Sequence, residues 1–434
     1  MVRRVQLALV CLVTLAWPAG TAAQNRIDVV TPLAPELAAY GADDVGVRTL
    51  RMTDRNRPDV LGAAEGKPLP RYDRTLTLDA WYPAGPATVH PDGEYHTITR
   101  DPGITVILRG KAIRDAAPAK AGGPFPLVIV SHGYPGNRYL LSHLCENLAS
   151  KGFVVVSIDH PDSTYDDQKN FGSTLYNRPF DQLFVLDEMA RLAAVSGSVF
   201  SGLVDAGRTG LVGYSMGGYG VVNVAGGGYS RASETFSFAP PNRMLADRGA
   251  AVLASKPIDP RIKAVIAIGP WGMQNGFWDA DGLRGIRVPM LFVAGSADEV
   301  SGYEKGTRAI YDGAVNADRY LLTFRDAGHN AAAPIPAPDE TYAYSASLKS
   351  FPFMHYADPV WDTTRMNNIL DHFATAWFGL LLKGEQDKRA YLEVPAAVDP
   401  APREGQGGAA ASPWKGFQPR TTVGLTLEHA LAAK

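Results

Sequence analysis

Three side chains of this 434-residue sequence have the types and order that nucleophilic catalysis requires. Ser215 sits in Leu211-Val212-Gly213-Tyr214-Ser215-Met216-Gly217-Gly218, an apolar strand-like run entering Gly-x-Ser-x-Gly, followed by small residues compatible with a helix. Glycines on both sides let the backbone turn sharply and leave room beside the hydroxyl. A serine hydroxyl is a weak nucleophile at neutral pH. It needs an imidazole to take its proton, and the imidazole needs a carboxylate to fix its tautomer. His329, in Asp326-Ala327-Gly328-His329-Asn330, follows a strand-like run late in the chain and is the expected base. Asp298, in Gly295-Ser296-Ala297-Asp298-Glu299, lies between the two in sequence and also just past a strand, so it is the expected acid. Asp326 competes for that role, but three residues from His329 it has the spacing of a turn-forming aspartate. His132 and His160 also end strands but precede the serine; His132 is expected to shape a neighbouring loop and His160 to hydrogen-bond within the crevice.

An acyl transfer also needs donors for the developing oxyanion. The backbone N–H of Met216, at the start of the helix after the nucleophile, is one. The other is the N–H of Tyr134 in Ser131-His132-Gly133-Tyr134-Pro135-Gly136, a strand end whose glycines let the chain bend inward. The side chains of Tyr134, Tyr214 and Trp271 are read as substrate-lining; a core aromatic is the equal alternative for Trp271.

The elements that hold these residues follow from hydrophobic pattern. Val45–Met52 and Arg74–Trp81 alternate and predict two antiparallel strands. Phe125–Ser131, Phe153–Asp159, Leu211–Tyr214, Ile262–Ile268, Val288–Ala294 and Tyr320–Phe324 are unbroken apolar runs, the pattern of parallel strands covered on both faces. Helical spacing predicts helices around Cys145, over Arg178–Ala194, after Ser215, and over Met366–Lys383. The fold class is therefore α/β, with a mostly parallel central sheet and helices on both faces. Residues 24–434 read as one domain with insertions near 83–125, 229–261 and 331–361. The first is an extended loop or hairpin with one short strand at Ile104–Leu108. The other two leave from the side of the sheet that carries Ser215 and His329, and are expected to cap it.

Met1–Ala23 carries Arg3 and Arg4, an apolar run shorter than the ~20 residues a bilayer needs, and a small-residue end, which predicts a secretory leader and a secreted or periplasmic protein. The chain beyond it holds a single cysteine, Cys145, on the apolar face of its helix, and so no internal disulfide. With 42 Lys+Arg against 44 Asp+Glu and no charge blocks, neither nucleic acid nor stable membrane insertion is expected. No phosphate-binding Gly-rich Lys-Ser/Thr sequence, Cys-x-x-Cys pair or His-Glu-x-x-His is present, so no metal or organic cofactor is expected. The oligomeric state is not readable. The expected partner is a small-molecule, lipid or polymer ester.

The ordered set His-Gly-Tyr-Pro-Gly-Asn-Arg, Gly-Tyr-Ser-Met-Gly-Gly, Gly-Pro-Trp, Ala-Gly-Ser-Ala-Asp-Glu and Ala-Gly-His resembles the α/β-hydrolase superfamily over about Leu127–Lys383. It is most similar to the dienelactone-hydrolase-like, platelet-activating-factor acetylhydrolase-like and bacterial polyester-hydrolase (cutinase-like) branches. The resemblance implies the α/β-hydrolase fold, and a serine esterase with Ser215, Asp298 and His329 as triad, Tyr134 and Met216 as oxyanion donors and Trp271 in an aromatic subsite. Dienelactone hydrolases carry a cysteine at the position of Ser215. The acetylhydrolases place their acid one strand earlier, where this chain has Gly269-Pro270-Trp271, and compact polyester hydrolases lack the 229–261 and 331–361 segments. A peptidase or amidase on the same fold, or a phospholipid acetyl ester hydrolase, is the alternative.

Overall fold

The computed structural model describes residues 24–86, 93–396, 412 and 414–433; the predicted leader lies outside them. Among the described residues twelve strands form the frame: β1 (Asp44–Pro58), β2 (Arg71–Ala84), β3 (Gly93–Ile98), β4 (Thr105–Gly110), β5 (Ile113–Arg114), β6 (Phe125–Ser131), β7 (Val154–Asp159), β8 (Val204–Tyr214), β9 (Ile262–Ile268), β10 (Met290–Gly295), β11 (Arg319–Phe324) and β12 (Leu425–Ala430). Ten of them make one sheet in the order β12-β11-β10-β9-β8-β6-β7-β2-β1-β5. From β7 to β11 the pairing is parallel; β1 and β2 enter antiparallel at one end and β12 closes the other antiparallel to β11.

The parallel strands are apolar throughout because both faces are covered. In β6, Val128 and Val130 pack into the layer of α1 (Ser142–Ala149) and α7 (Thr363–Phe378), with Leu144, Phe373 and Trp377. Leu127 and Ile129 point the other way, into the layer of α2 (Phe171–Ala194) and α3 (Met216–Val224), with Leu186, Met189 and Val222. Period-two alternation sorts each strand's side chains between the two cores. Three short helices, α4 (Ala250–Ala254), α5 (Ala280–Arg284) and α6 (Ala309–Gly313), cover connections at the second face. Cys145 is free and fully buried, and burial pushes its thiol pKa well up, as suits a structural residue.

The insertions differ from their sequence-level picture. Within 83–125, β3 and β4 pair as a separate two-stranded sheet, Gly93 opposite Gly110 and Ile98 opposite Thr105. Helix α2 starts at Phe171, seven residues before its predicted start, where the Asn170 side chain accepts from the Gly172 amide at 2.8 Å. It continues through Pro179, which has no N–H for the carbonyl of Leu175. The Tyr219 hydroxyl of α3 donates to that carbonyl instead, at 3.0 Å.

Only a small part of the 229–261 segment, expected to cap the site, lies beside it. Phe236 and Phe238 stay near the serine side, but the rest descends along the helices to Arg261, whose carbonyl accepts from Thr209 at the start of the next strand pairing. It must descend: β9 runs parallel to β8 and so begins at the opposite end of the sheet. In 331–361, Ala331, Ala332, Ala333 and Ile335 are buried core residues, while Tyr342, Tyr344, Phe351 and Met354 are exposed. The chain end docks: Trp414 is buried with its indole N–H on the Pro395 carbonyl, and β12 pairs with β11.

Candidate active site

Ser215 occupies the turn between β8 and α3 with φ 53° and ψ −111°, a backbone region that costs a non-glycine residue about 1–3 kcal/mol. The surroundings enforce it. The Ser215 amide donates to the Ile268 carbonyl at 2.9 Å, and its carbonyl accepts from Tyr219 and Trp271 at 2.9 and 3.1 Å. The flanking glycines are sterically required: a Cβ on Gly213 would lie 2.2 Å from the Gly217 carbonyl oxygen, and one on Gly217 would lie 1.9 Å from that of Ser131.

Three strand ends converge on this serine. His329, in the loop after β11, places Nε2 2.9 Å from Ser215 Oγ. Its Nδ1 is 3.0 Å from both carboxylate oxygens of Asp298, in the loop after β10. The hydrogen-bond network assigns the proton of a neutral imidazole to Nδ1, which donates to Asp298 and leaves Nε2 to accept from the hydroxyl. Asp298 Oδ1 also accepts from the Val300 and Ser301 amides at 2.9 and 2.8 Å. Burial raises the carboxyl, but His329 and these two amides outweigh it and hold Asp298 below the usual carboxylate range. Asp326 is exposed at φ 61°, with its amide on Ser296 Oγ, and is a turn residue.

The remaining predicted site residues divide. Met216 is the first residue of α3. The loop carrying Tyr134 passes directly over the nucleophile: a Cβ on Gly133 would lie 3.3 Å from Ser215 Cβ. The Tyr134 ring packs 5.0 Å from Phe171, which packs 5.2 Å from Trp271; Phe238 and Phe236 join the same group. Trp271 thus belongs to an aromatic shelf beside Ser215. Phe171 was not singled out from sequence, since the first two turns of α2 did not read as helix. Tyr214 departs from its expected role. It is 3% exposed, its ring lies 5.2 Å from the His329 ring, and its hydroxyl donates to Asn330 Oδ1 at 3.0 Å, so it backs the histidine instead of lining a cleft. Side chains at odd and even strand positions face opposite sides, and Tyr214 falls on the α1/α7 side with Val212.

His132 shapes its loop as expected, with Nδ1 2.7 Å from the Gly133 carbonyl. His160 is not in the crevice. It lies buried beneath it, Nε2 2.8 Å from Ser131 Oγ and Nδ1 3.0 Å from Asp181 Oδ2. A cavity of about 1060 Å³ between β2, the β3–β4 hairpin and residues 159–167 touches none of Ser215, His329 and Asp298.

The sheet order, the strained serine after β8 and the convergence of three strand ends define the α/β-hydrolase fold. A family model described as PETase, PET hydrolase-like, matches residues 112–240, a span that includes Tyr134, Ser215 and Met216. Cutinase est1 of Thermobifida alba is 26% identical over 205 residues, 47% of this chain and 53% of that one. A bis(hydroxyethyl) terephthalate hydrolase of Streptomyces coelicolor is 25% identical over 208 residues, 48% and 51% of the two chains. The chain spans about half the length of the curated relatives it matches. A solved ferulic acid esterase from Streptomyces cinnamoneus superposes with a TM-score of 0.53 at 19% identity, covering 94% of this chain and 99% of that one, and shares the fold. The chain has the α/β-hydrolase fold and is similar in sequence to cutinases and a bis(hydroxyethyl) terephthalate hydrolase.

Proposed function

We propose that the protein is an exported serine hydrolase of carboxylic esters that works through an acyl-enzyme. Ser215 Oγ attacks the ester carbonyl while His329 Nε2 takes its proton, and Asp298 stabilises the imidazolium that results. The Met216 and Tyr134 amides hold the oxyanion. His329 then protonates the leaving alcohol, and a water activated by the same nitrogen releases the acid. The observation that carries this reading is the single line of hydrogen bonds from a strained serine through His329 to Asp298. The shelf of Tyr134, Phe171, Trp271, Phe236 and Phe238 supports an aromatic or extended apolar group on the substrate, worth about 25 cal/mol per Å² covered. The terephthalate ester named for the Streptomyces coelicolor relative has that character.

Residues 236–239 and the exposed rings of 342–356 then form a partial rim that selects by size. Among the described residues no helix is long and apolar enough to cross a membrane, and export rests on the Met1–Ala23 pattern. The test is a plate of aryl esters of graded acyl length beside an aryl amide, with fluorophosphonate labelling mapped to a residue. Ester turnover with label on Ser215 is expected. Faster amide than ester turnover would make it an amidase, and absence of both turnover and label would make it a binding protein. The amino terminus of exported material should begin near residue 24.

A further inference from the structure

Beneath the proposed oxyanion loop lies an arginine that no catalytic role uses. Arg178, on α2, is 1% exposed. Its Nη1 donates to the His132 carbonyl, and its Nη2 donates to the Gly133 carbonyl at 3.3 Å and to Ser163 Oγ at 2.8 Å. His132 Nδ1 reaches the same Gly133 carbonyl from the side. In a trans peptide the N–H points opposite to the C=O. Drawing the carbonyls of His132 and Gly133 down toward α2 therefore turns the amides of Gly133 and Tyr134 up, away from Arg178 and toward the face where Gly133 meets Ser215. One turn further along α2, Gln182 Nε2 donates to the Gly217 carbonyl at 3.3 Å, which ties the start of α3 to the same helix face. Gly220 leaves the space: a Cβ there would lie 2.6 Å from Gln182 Nε2 and 2.8 Å from Arg178 Cγ.

We infer that Arg178 is a positioning residue, whose two-pronged grip on the His132 and Gly133 carbonyls aims the Tyr134 amide at the oxyanion. The inference rests on the esterase reading above. A planar guanidinium spans two adjacent carbonyls where an ammonium grips one, so lysine is a partial replacement only. Loss of one oxyanion donor costs about 10²–10³-fold in kcat, and a donor that is present but misaimed should cost about 10–100-fold.

The experiment compares wild type, Arg178→Lys and Arg178→Gln on a p-nitrophenyl ester, counting competent sites by fluorophosphonate label. Inhibition by an alkyl trifluoromethyl ketone, which forms a tetrahedral oxyanion on the serine, is measured alongside. The expected result is kcat per labelled site down about 30-fold in Arg178→Gln and less in Arg178→Lys, KM within about threefold, and ketone affinity weakened in step with kcat. A purely structural arginine would lower the labelled fraction alone. Values of kcat per labelled site and ketone affinity within twofold of wild type would overturn the inference. Should neither variant yield soluble protein, Ser163→Ala decides: it removes the acceptor that steers Nη2, and about a three- to tenfold drop with the same split is expected, an unchanged enzyme being the contrary result. A wild-type chain that neither labels nor cleaves esters overturns the esterase reading itself, and this inference with it.

Discussion

Among the described residues two Ser–His–Asp chains have nearly the same dimensions. Ser215–His329–Asp298 spans 2.9 and 3.0 Å; Ser131–His160–Asp181 spans 2.8 and 3.0 Å. Hydrogen-bond geometry does not distinguish them, but their surroundings do. Ser131 ends a regular strand and is wholly buried, whereas Ser215 stands on a positive-φ turn beside an aromatic shelf. Asp298 meets no arginine in its hydrogen bonds, so its charge is available to an imidazolium on His329. Asp181 is already taken: Arg74 holds it with two bonds of 2.9 Å and Arg57 adds a third at 3.3 Å. Burial and the neighbouring Arg178 push the His160 pKa down to about 3 despite Asp181. An imidazole that stays neutral until pH falls toward 3 is a poor general base near neutral pH. The same three residue types make a proposed engine in one place and a strut in the other, according to access, strain and unspent charge.

The sharpest way to break the comparison is to remove each serine. Ser215→Ala should cost about 10⁶-fold in kcat; Ser131→Ala should cost no more than about tenfold and keep fluorophosphonate labelling of Ser215. Abolished labelling in a folded Ser131→Ala protein would reverse the assignment. Next come the acids. Asp298→Asn should lower kcat by about 10⁴-fold through the wrong tautomer, while Asp326→Asn stays within about threefold. Asp181→Asn should act on stability instead, leaving the buried Arg74 with Asp162 in place of two carboxylate partners, at up to about 3–5 kcal/mol in denaturant unfolding.

The smallest effect is a slope in pH. Burial lowers the pKa of His160, His355 and His372 to about 3 and that of His132 well below 6.5. These histidines stay neutral in the folded chain and charge in the unfolded one, so the stability they contribute is full above pH ~6.5 and is lost as pH falls toward their folded values. Asp181 is held far below the usual carboxylate range, chiefly by Arg74 against its burial, so its contribution is complete above pH ~4 and does not enter that window. Unfolding free energy should fall between pH 6.5 and 4 by up to ~1.4 kcal/mol per pH unit for each such histidine. His160→Gln should reduce the slope by one histidine's share; a flat profile would contradict the neutral, buried assignment.

What could be read before folding tracks the range of each interaction. The meeting of Ser215, Asp298 and His329 was legible because each closes an apolar run with small residues, a local signal of a strand end in a parallel sheet. Tyr214 was misread because a residue beside the nucleophile in sequence is on the opposite face of the strand. The strut was illegible: His160 lies 29 residues from Ser131 and 21 from Asp181, and nothing near any of them announces the others. The early start of α2 was hidden by Pro179, whose helix-breaking tendency is met by a hydroxyl from another element. The course of 229–261 was set by where β9 must begin, a topological fact with no local trace.

The Tyr219 hydroxyl on the Leu175 carbonyl has a consequence for anyone who would move parts between relatives. It keys α2 to α3 at one register: a slide of either helix by a residue strands a carbonyl in a dry layer, a penalty of about 1–3 kcal/mol. Residues 171–224 therefore form one transplantable cassette with an internal alignment mark. A chimera that swaps α2 without Tyr219, or α3 without Pro179, inherits a mismatched joint beside the serine turn, whereas the exposed turn at residues 195–197, ahead of the buried Phe200 and Leu203, is free of that mark and is the place to accept insertions or deletions.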